Sequence, residues 1–111
     1  MEFVDLKDIH QTEPINGFKV KFAHSDNLTL AFWEIKANSI LPDHSHVHEQ
    51  MSIVTKGEFE LTINEKTMTL RQGMVAVIQS NERHSAKAIT DCEITDIFYP
   101  VREDYKLSLL E

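Results

Sequence analysis

Cysteine, glycine and positive charge are all scarce in this chain of 111 residues, and each shortage excludes something. A single cysteine, Cys92, permits neither an intramolecular disulfide nor a thiolate-built zinc site. In its β-rich surroundings Cys92 reads as a small apolar strand residue. Lysine and arginine number 11 against 18 acidic residues, for a net charge of -7. An acidic balance of that kind argues against nucleic acid or an anionic membrane surface as partner. No apolar run is long enough to span a bilayer. The start, Met1-Glu2-Phe3-Val4-Asp5, lacks the basic and then apolar segments of a secretory signal. The expected location is therefore the cytoplasm, with no membrane partner. Long stretches of helical periodicity are missing as well.

What remains is a packed β domain. Hydrophobic residues make up 41% of the chain, which separates it from disordered sequences, and its length suits one domain over residues 1–111. Short segments rich in β-branched and aromatic residues predict strands at Phe18–Ala23, Leu28–Ile35, Met51–Thr55, Glu58–Ile63, Thr67–Leu70, Met74–Ile78, Ser85–Ile89 and Cys92–Tyr99. Asn16-Gly17, Asn64-Glu65-Lys66 and Gln72-Gly73 supply turn chemistry between them. The fold class is all-β, a small antiparallel barrel or sandwich. In Glu58–Ile63, Phe59, Leu61 and Ile63 share one face, so that strand has one wet side. Leu28–Ile35 is apolar on both faces and predicts burial on both, by its own chain or by a second copy in a homodimer. Residues 1–13 read as a short docked arm, and those after Tyr105 as an apolar tail.

The chemistry concentrates in His44-Ser45-His46-Val47-His48-Glu49-Gln50, with a further histidine at His84. In extended chain, residues two apart point to the same side about 7 Å apart, so the imidazoles of His44 and His46 can converge on one ion. Parity alone admits His48 and Gln50 equally, and a His-rich polar loop without metal has the same composition. His10 and His24, isolated, read as ordinary polar side chains. Two of the three glycines frame this region: Gly57 follows Gln50 by seven residues, and Gly73 opens the strand that leads to His84.

These two segments resemble the paired motifs of the cupin superfamily, Gly-x5-His-x-His-x3–4-Glu/Gln-x6-Gly and Gly-x5-Pro-x-Gly-x2-His-x3-Asn. His44, His46, Gln50, Gly57, Gly73 and His84 occupy the corresponding positions. The resemblance implies a small antiparallel β-barrel, or jelly roll, in which His44, His46, Gln50 and His84 bind one divalent metal ion. Zn, Ni, Fe, Mn and Cu all suit such a set. Asn38 and Asn81 stand where the family has glycine, Gln79 replaces its proline, and Ala88 its final asparagine. Asparagine tolerates left-handed backbone well, so both turns survive. A neutral Gln50 in place of the commoner glutamate leaves the metal charge uncompensated, which favours an anionic ligand.

On the last strand Asp96 shares a face with Cys92, Ile94 and Phe98, an acid among apolar neighbours. It can serve proton transfer, or simply pair with a lysine or arginine at the barrel rim. Arg102, within Pro100-Val101-Arg102-Glu103-Asp104-Tyr105, can grip a carboxylate through two parallel hydrogen bonds or form a surface pair with Glu103 or Asp104. Together with His44–Gln50, the runs Asp96-x-Phe98 and Pro100-x-Arg102-Glu103-Asp104-Tyr105 are similar to the pectin-degradation cupins called KdgF. The similarity covers about residues 20–105. It implies conversion of a 4,5-unsaturated uronate monosaccharide, a small anionic sugar acid, to a linear 5-keto sugar. Asp96, Phe98 and Arg102 are the implied catalytic positions. Because one barrel hosts many reactions, a dioxygenase, a lyase, a noncatalytic sugar-acid binder and a metal-free structural cupin are the competing readings.

Overall fold

Strand formation follows the alternation of the sequence closely, as the computed structural model, describing residues 2–108, makes plain. Ten strands form: β1 Thr12–Ile15, β2 Phe18–His24, β3 Thr29–Ile35, β4 Ile40–His44, β5 Glu49–Lys56, β6 Phe59–Ile63, β7 Lys66–Leu70, β8 Val75–Ile78, β9 His84–Ala88 and β10 Cys92–Tyr99. A short helix, α1, covers Glu103–Ser108. All eight expected strands are present, with ends shifted by a few residues. Two strands were not foreseen. β1 contains Pro14 and β4 contains Pro42, and each lies at the edge of its sheet, where a missing N–H costs no ladder bond.

The larger sheet runs in the order β1-β2-β3-β10-β5-β8 and the smaller β4-β9-β6-β7, both antiparallel. Facing inner surfaces of the two sheets make the core. β5 shows strict alternation, with Gln50, Ser52 and Val54 buried and their neighbours exposed. In β6, Phe59 and Leu61 are buried as the pattern requires, while Ile63 is half-buried. Cys92 is a buried free thiol.

Positive φ occurs where turn chemistry predicts it, at Gly17, Gly57 and Gly73, and at Asn38, Asn64, Glu65 and Asn81. Both asparagines standing at cupin glycine positions therefore take the left-handed turn. Gly57 is obligatory for a second reason: a Cβ there would run into the carbonyl of Asp91 and the hydroxyl of Thr90.

β3 is less enclosed than its composition suggests. Thr29, Ala31 and Ile35 are buried on the inner side, but Leu30 and Phe32 on the outer side are only half-covered. The arm at the start includes a single 3-10 turn, Leu6–Asp8, whose Leu6 carbonyl accepts from Lys21 Nζ at 2.8 Å, and continues into β1. The apolar tail expected after Tyr105 lies in the end of α1 and in residues 109–111, which fall outside the described residues. Among the described residues no helix is long and apolar enough to cross a membrane.

Candidate metal centre and cavity

Strand pairing brings the sequence-distant histidines together. His44, ending β4, pairs in register with His84, opening β9, so their rings meet with centroids 4.1 Å apart. His46 follows on the connecting loop, 5.0 Å from the His84 ring. The ligand-capable nitrogens of the three rings lie within 4.8 Å of one another. His48 stays outside this group.

Hydrogen bonding at the other ring nitrogen decides which atom each histidine presents. Nδ1 of His44 meets the Pro42 carbonyl at 2.8 Å, Nδ1 of His46 the His48 carbonyl at 3.0 Å, and Nδ1 of His84 the Glu82 carbonyl at 2.9 Å. A carbonyl only accepts, so each Nδ1 carries the hydrogen and each Nε2 is left with a lone pair. Burial opposes protonation of His46 and His84: it pushes His46 down to about 4, assisted by the Arg102 charge, and lowers His84, which is 2% exposed.

Gln50 reaches the same point from the other sheet. Its Nε2 donates to Ser52 Oγ at 3.0 Å, which turns Oε1 toward His46 Nε2, also at 3.0 Å. Two lone pairs facing each other repel unless a cation lies against both. Neighbouring ligand atoms of one first-row ion sit about 3 Å apart, so the spacing suits a shared metal. Three imidazoles could hold a metal here, with the Gln50 oxygen placed as a fourth donor, and the residues fit the ion that the sequence implies.

A cavity of about 160 Å³ opens beside this cluster. His44, His46, Gln50, Asp96 and Arg102 line its polar end, while Phe59, Leu61, Ile78 and Ile94 line the apolar remainder. β10 pairs with β5 so that Asp96 lies opposite Ser52 and Phe98 opposite Gln50. Asp96 is 7% exposed and forms no ion pair among the described residues; its Oδ2 accepts from Trp33 Nε1 at 2.9 Å. Its Oδ1 is buried and has no partner in good hydrogen-bond geometry among the described residues, although Ser52 and Gln50 lie close enough to act on the carboxyl. Burial raises the carboxyl to about 6 against the opposing pull of Ser52, Trp33 and Gln50.

Arg102 is 8% exposed and makes the acidic pair that its sequence offered as one alternative. It lines the cavity, and it also pairs with Asp104 through Nε to Oδ1 at 3.0 Å and Nη2 to Oδ2 at 2.8 Å. Its guanidinium carbon sits 4.7 Å from the centre of the Phe98 ring and 4.0 Å from that of Tyr105. The Arg102 backbone N–H donates to Thr29 Oγ1 at 2.9 Å. The Arg102–Asp104 pair is one the sequence offered, and Tyr105 lies in the motif that carries the resemblance, whereas Trp33 and Ser52 were not foreseen. Of those two, only Ser52 had a sequence signal, since it shares a strand face with Gln50.

A double antiparallel sheet carrying a histidine cluster at its mouth defines the class: the chain belongs to the cupin family, whose cupin domain profile matches residues 31–98. Among individual proteins it is similar to the pectin degradation protein KdgF of Dickeya dadantii (strain 3937), 28% identical over 93 residues, covering 81% of this chain and 84% of that one. Two solved structures share the fold. KdgF from a Halomonas species superimposes with a TM-score of 0.88 at 24% identity, covering 95% of this chain and 98% of the other. An RmlC-like cupin from Shewanella frigidimarina gives 0.89 at 23% identity, covering 95% and 96%.

Proposed function

We propose that this protein is a metal-dependent isomerase that opens 4,5-unsaturated uronate monosaccharides and tautomerises them to linear 5-keto-4-deoxyuronate. The observation that carries the reading is the contents of one cavity: the imidazole cluster, a buried carboxyl and a guanidinium. The similarity to the pectin degradation protein KdgF of Dickeya dadantii supports a sugar acid from pectin breakdown as the substrate.

His44, His46, Gln50 and His84 hold one divalent ion. When bound, the ion supplies Lewis-acid stabilisation of negative charge on a sugar oxygen. Arg102 binds the uronate carboxylate, and Phe98, whose ring also packs edge-on to His46, covers the sugar ring. Asp96, as carboxylate, takes the proton of the anomeric hydroxyl. C1 then becomes a carbonyl as its bond to the ring oxygen breaks, and the electron pair leaves on that oxygen as an enolate across C4 and C5. Protonated Asp96 returns its proton to C4, leaving the ketone at C5. An acid whose pKa lies at about 6 exchanges a proton in both directions near neutrality. The neutral ligand shell preserves the metal's positive charge, so an acidic protein still attracts an anion.

The outer face of the larger sheet supports a homodimer. Leu30, Ile97, Met51 and Val77 stand side by side across four strands, and beside them Ile53 faces Val75. Met51, Ile53, Val75 and Val77 are all exposed, a contiguous apolar face that a second copy would cover. The buried free thiol of Cys92 and the lack of disulfides fit the cytoplasm.

The deciding experiment incubates metal-loaded protein with unsaturated galacturonate and follows loss of the conjugated double bond against the spontaneous rate. Acceleration abolished by Asp96→Asn, with metal retained, is the expected result. No acceleration removes the isomerase reading. Tight binding without turnover would select a sugar-acid binding module, and iron-dependent oxygen consumption a dioxygenase.

A further inference from the structure

We infer that Asp104 is a positioning residue that aims Arg102 into the cavity and so sets affinity for the carboxylate end of the ligand. The inference rests on the reading of Arg102 as the carboxylate contact. A guanidinium has two edges able to bind a carboxylate through paired hydrogen bonds, one at Nε and a terminal nitrogen, the other at the two terminal nitrogens. Asp104 takes the first, at 3.0 and 2.8 Å. Arg102 lines the cavity and Asp104 does not. Asp104 thus holds one edge from outside the cavity lining, Tyr105 also bonds the Arg102 side chain, and on this inference the donors that remain go to the ligand side.

The surroundings fix the rest of the arginine. Its backbone N–H is anchored on Thr29 Oγ1, whose own hydroxyl meets His24 Nδ1 at 2.8 Å. Its planar head lies in the corner between the Phe98 and Tyr105 rings, whose planes are 76° apart. Tyr105 in turn stacks on Phe22 with centroids 4.3 Å apart. Packing fixes the position of the head, and the fork from Asp104 fixes its rotation. An arginine held in this way loses little freedom when a second carboxylate docks.

Asp104 also acts in the opposite sense, because its charge offsets part of the attraction of Arg102 for an anion. Exposure decides between the two effects: the Asp104 side chain is 57% exposed, so solvent screens its charge while the hydrogen-bonded fork keeps its geometry. Removal of the fork should therefore weaken carboxylate binding even though it makes the site more positive.

The test is calorimetric titration of the zinc-loaded full chain with galacturonate. Asp104→Asn should weaken binding about 5- to 10-fold, the scale expected for loss of an oriented charge-assisted contact, with zinc affinity unchanged. Glu103→Gln removes the same charge one residue away without touching the fork, and should leave galacturonate binding within twofold. Glu103→Gln should melt as wild type does, whereas Asp104→Asn, which takes the paired acid from a buried guanidinium, should melt somewhat lower while remaining folded at the titration temperature. Unaltered or tighter binding by Asp104→Asn, or equal losses in both variants, would overturn the inference while leaving that of Arg102 intact. If Arg102→Ala binds as wild type does, or wild type binds no galacturonate, the parent reading falls and takes this one with it.

Discussion

Trp33 on β3 donates its indole N–H to Asp96 on β10 at 2.9 Å, across 63 residues of sequence. That bond holds one carboxylate oxygen and leaves Oδ1 buried near Ser52 and Gln50. Trp33→Phe keeps the edge-on ring contacts to Phe18 and Phe22 but removes the donor. Turnover of unsaturated galacturonate should fall about 10-fold or more, as for a lost hydrogen bond to a charged group. Steady-state kinetics with parallel metal analysis checks it, and an unchanged kcat would remove Trp33 from the site's machinery.

Metal loading should stabilise the fold. A divalent ion at about 100 times its Kd contributes about 2.7 kcal/mol by mass action, so chelation should lower the melting temperature and readdition restore it. His84→Ala should abolish that response, whereas His48→Ala should retain it, because His48 stands outside the cluster. Loss of the response in His48→Ala would reassign the ligands.

The pH dependence of stability in metal-free protein follows from two opposed shifts. His46 falls from 6.5 to about 4 in the fold, so its contribution is complete above pH 6.5 and is lost as pH falls toward 4. Asp96 rises from 3.8 to about 6, so its contribution is complete below pH 3.8 and is lost as pH climbs to 6. The two partly cancel in wild type. Asp96→Asn removes the second, and should make stability rise more steeply from pH 4 to 6, with a gain of up to about 3 kcal/mol above pH 6. Urea unfolding across that range is the measurement. A variant that tracks wild type at every pH contradicts the buried-acid assignment.

Gly57→Ala should cost at least about 2 kcal/mol, because the new Cβ meets backbone at Asp91 in a left-handed turn. Asn81→Gly, at φ 66°, should be neutral or slightly stabilising. Thermal melts of the two variants test the pair, and equal effects would count against the turn argument.

Met51→Lys and Ile53→Lys place charge in the middle of the outer apolar face. If that face joins two copies, either variant should sediment as a monomer with native circular dichroism. A wild type that is itself monomeric at micromolar concentration sinks the dimer.

Much of this protein was determined by its sequence alone. Alternation in Glu58–Ile63 identifies a strand because the pleat has period two, whereas Glu49–Lys56 buries Gln50 and Ser52 and exposes Met51 and Ile53, an inversion its sequence did not announce. Turn residues at Asn38, Asn64, Gly57, Gly73 and Asn81 announce left-handed backbone that few other side chains adopt. Two-residue spacing lets the imidazoles of His44 and His46 converge in extended chain, and the resemblance to the paired cupin motifs adds Gln50 and His84. Proline hid β1 and β4, since local preference argues against strands that only an edge position tolerates. Six residues of α1 are too few to display a helical period.

Only the tertiary structure shows the Gln50 amide oriented through Ser52 with its oxygen toward His46, and His48 outside the group of three histidines. It also decided that the acid at Asp96 is held by an indole rather than by a lysine or arginine, and that Arg102 lines the cavity while gripped by Asp104. Those outcomes depend on register between strands far apart in sequence and on burial. Neither is encoded in the local pattern that makes a strand a strand.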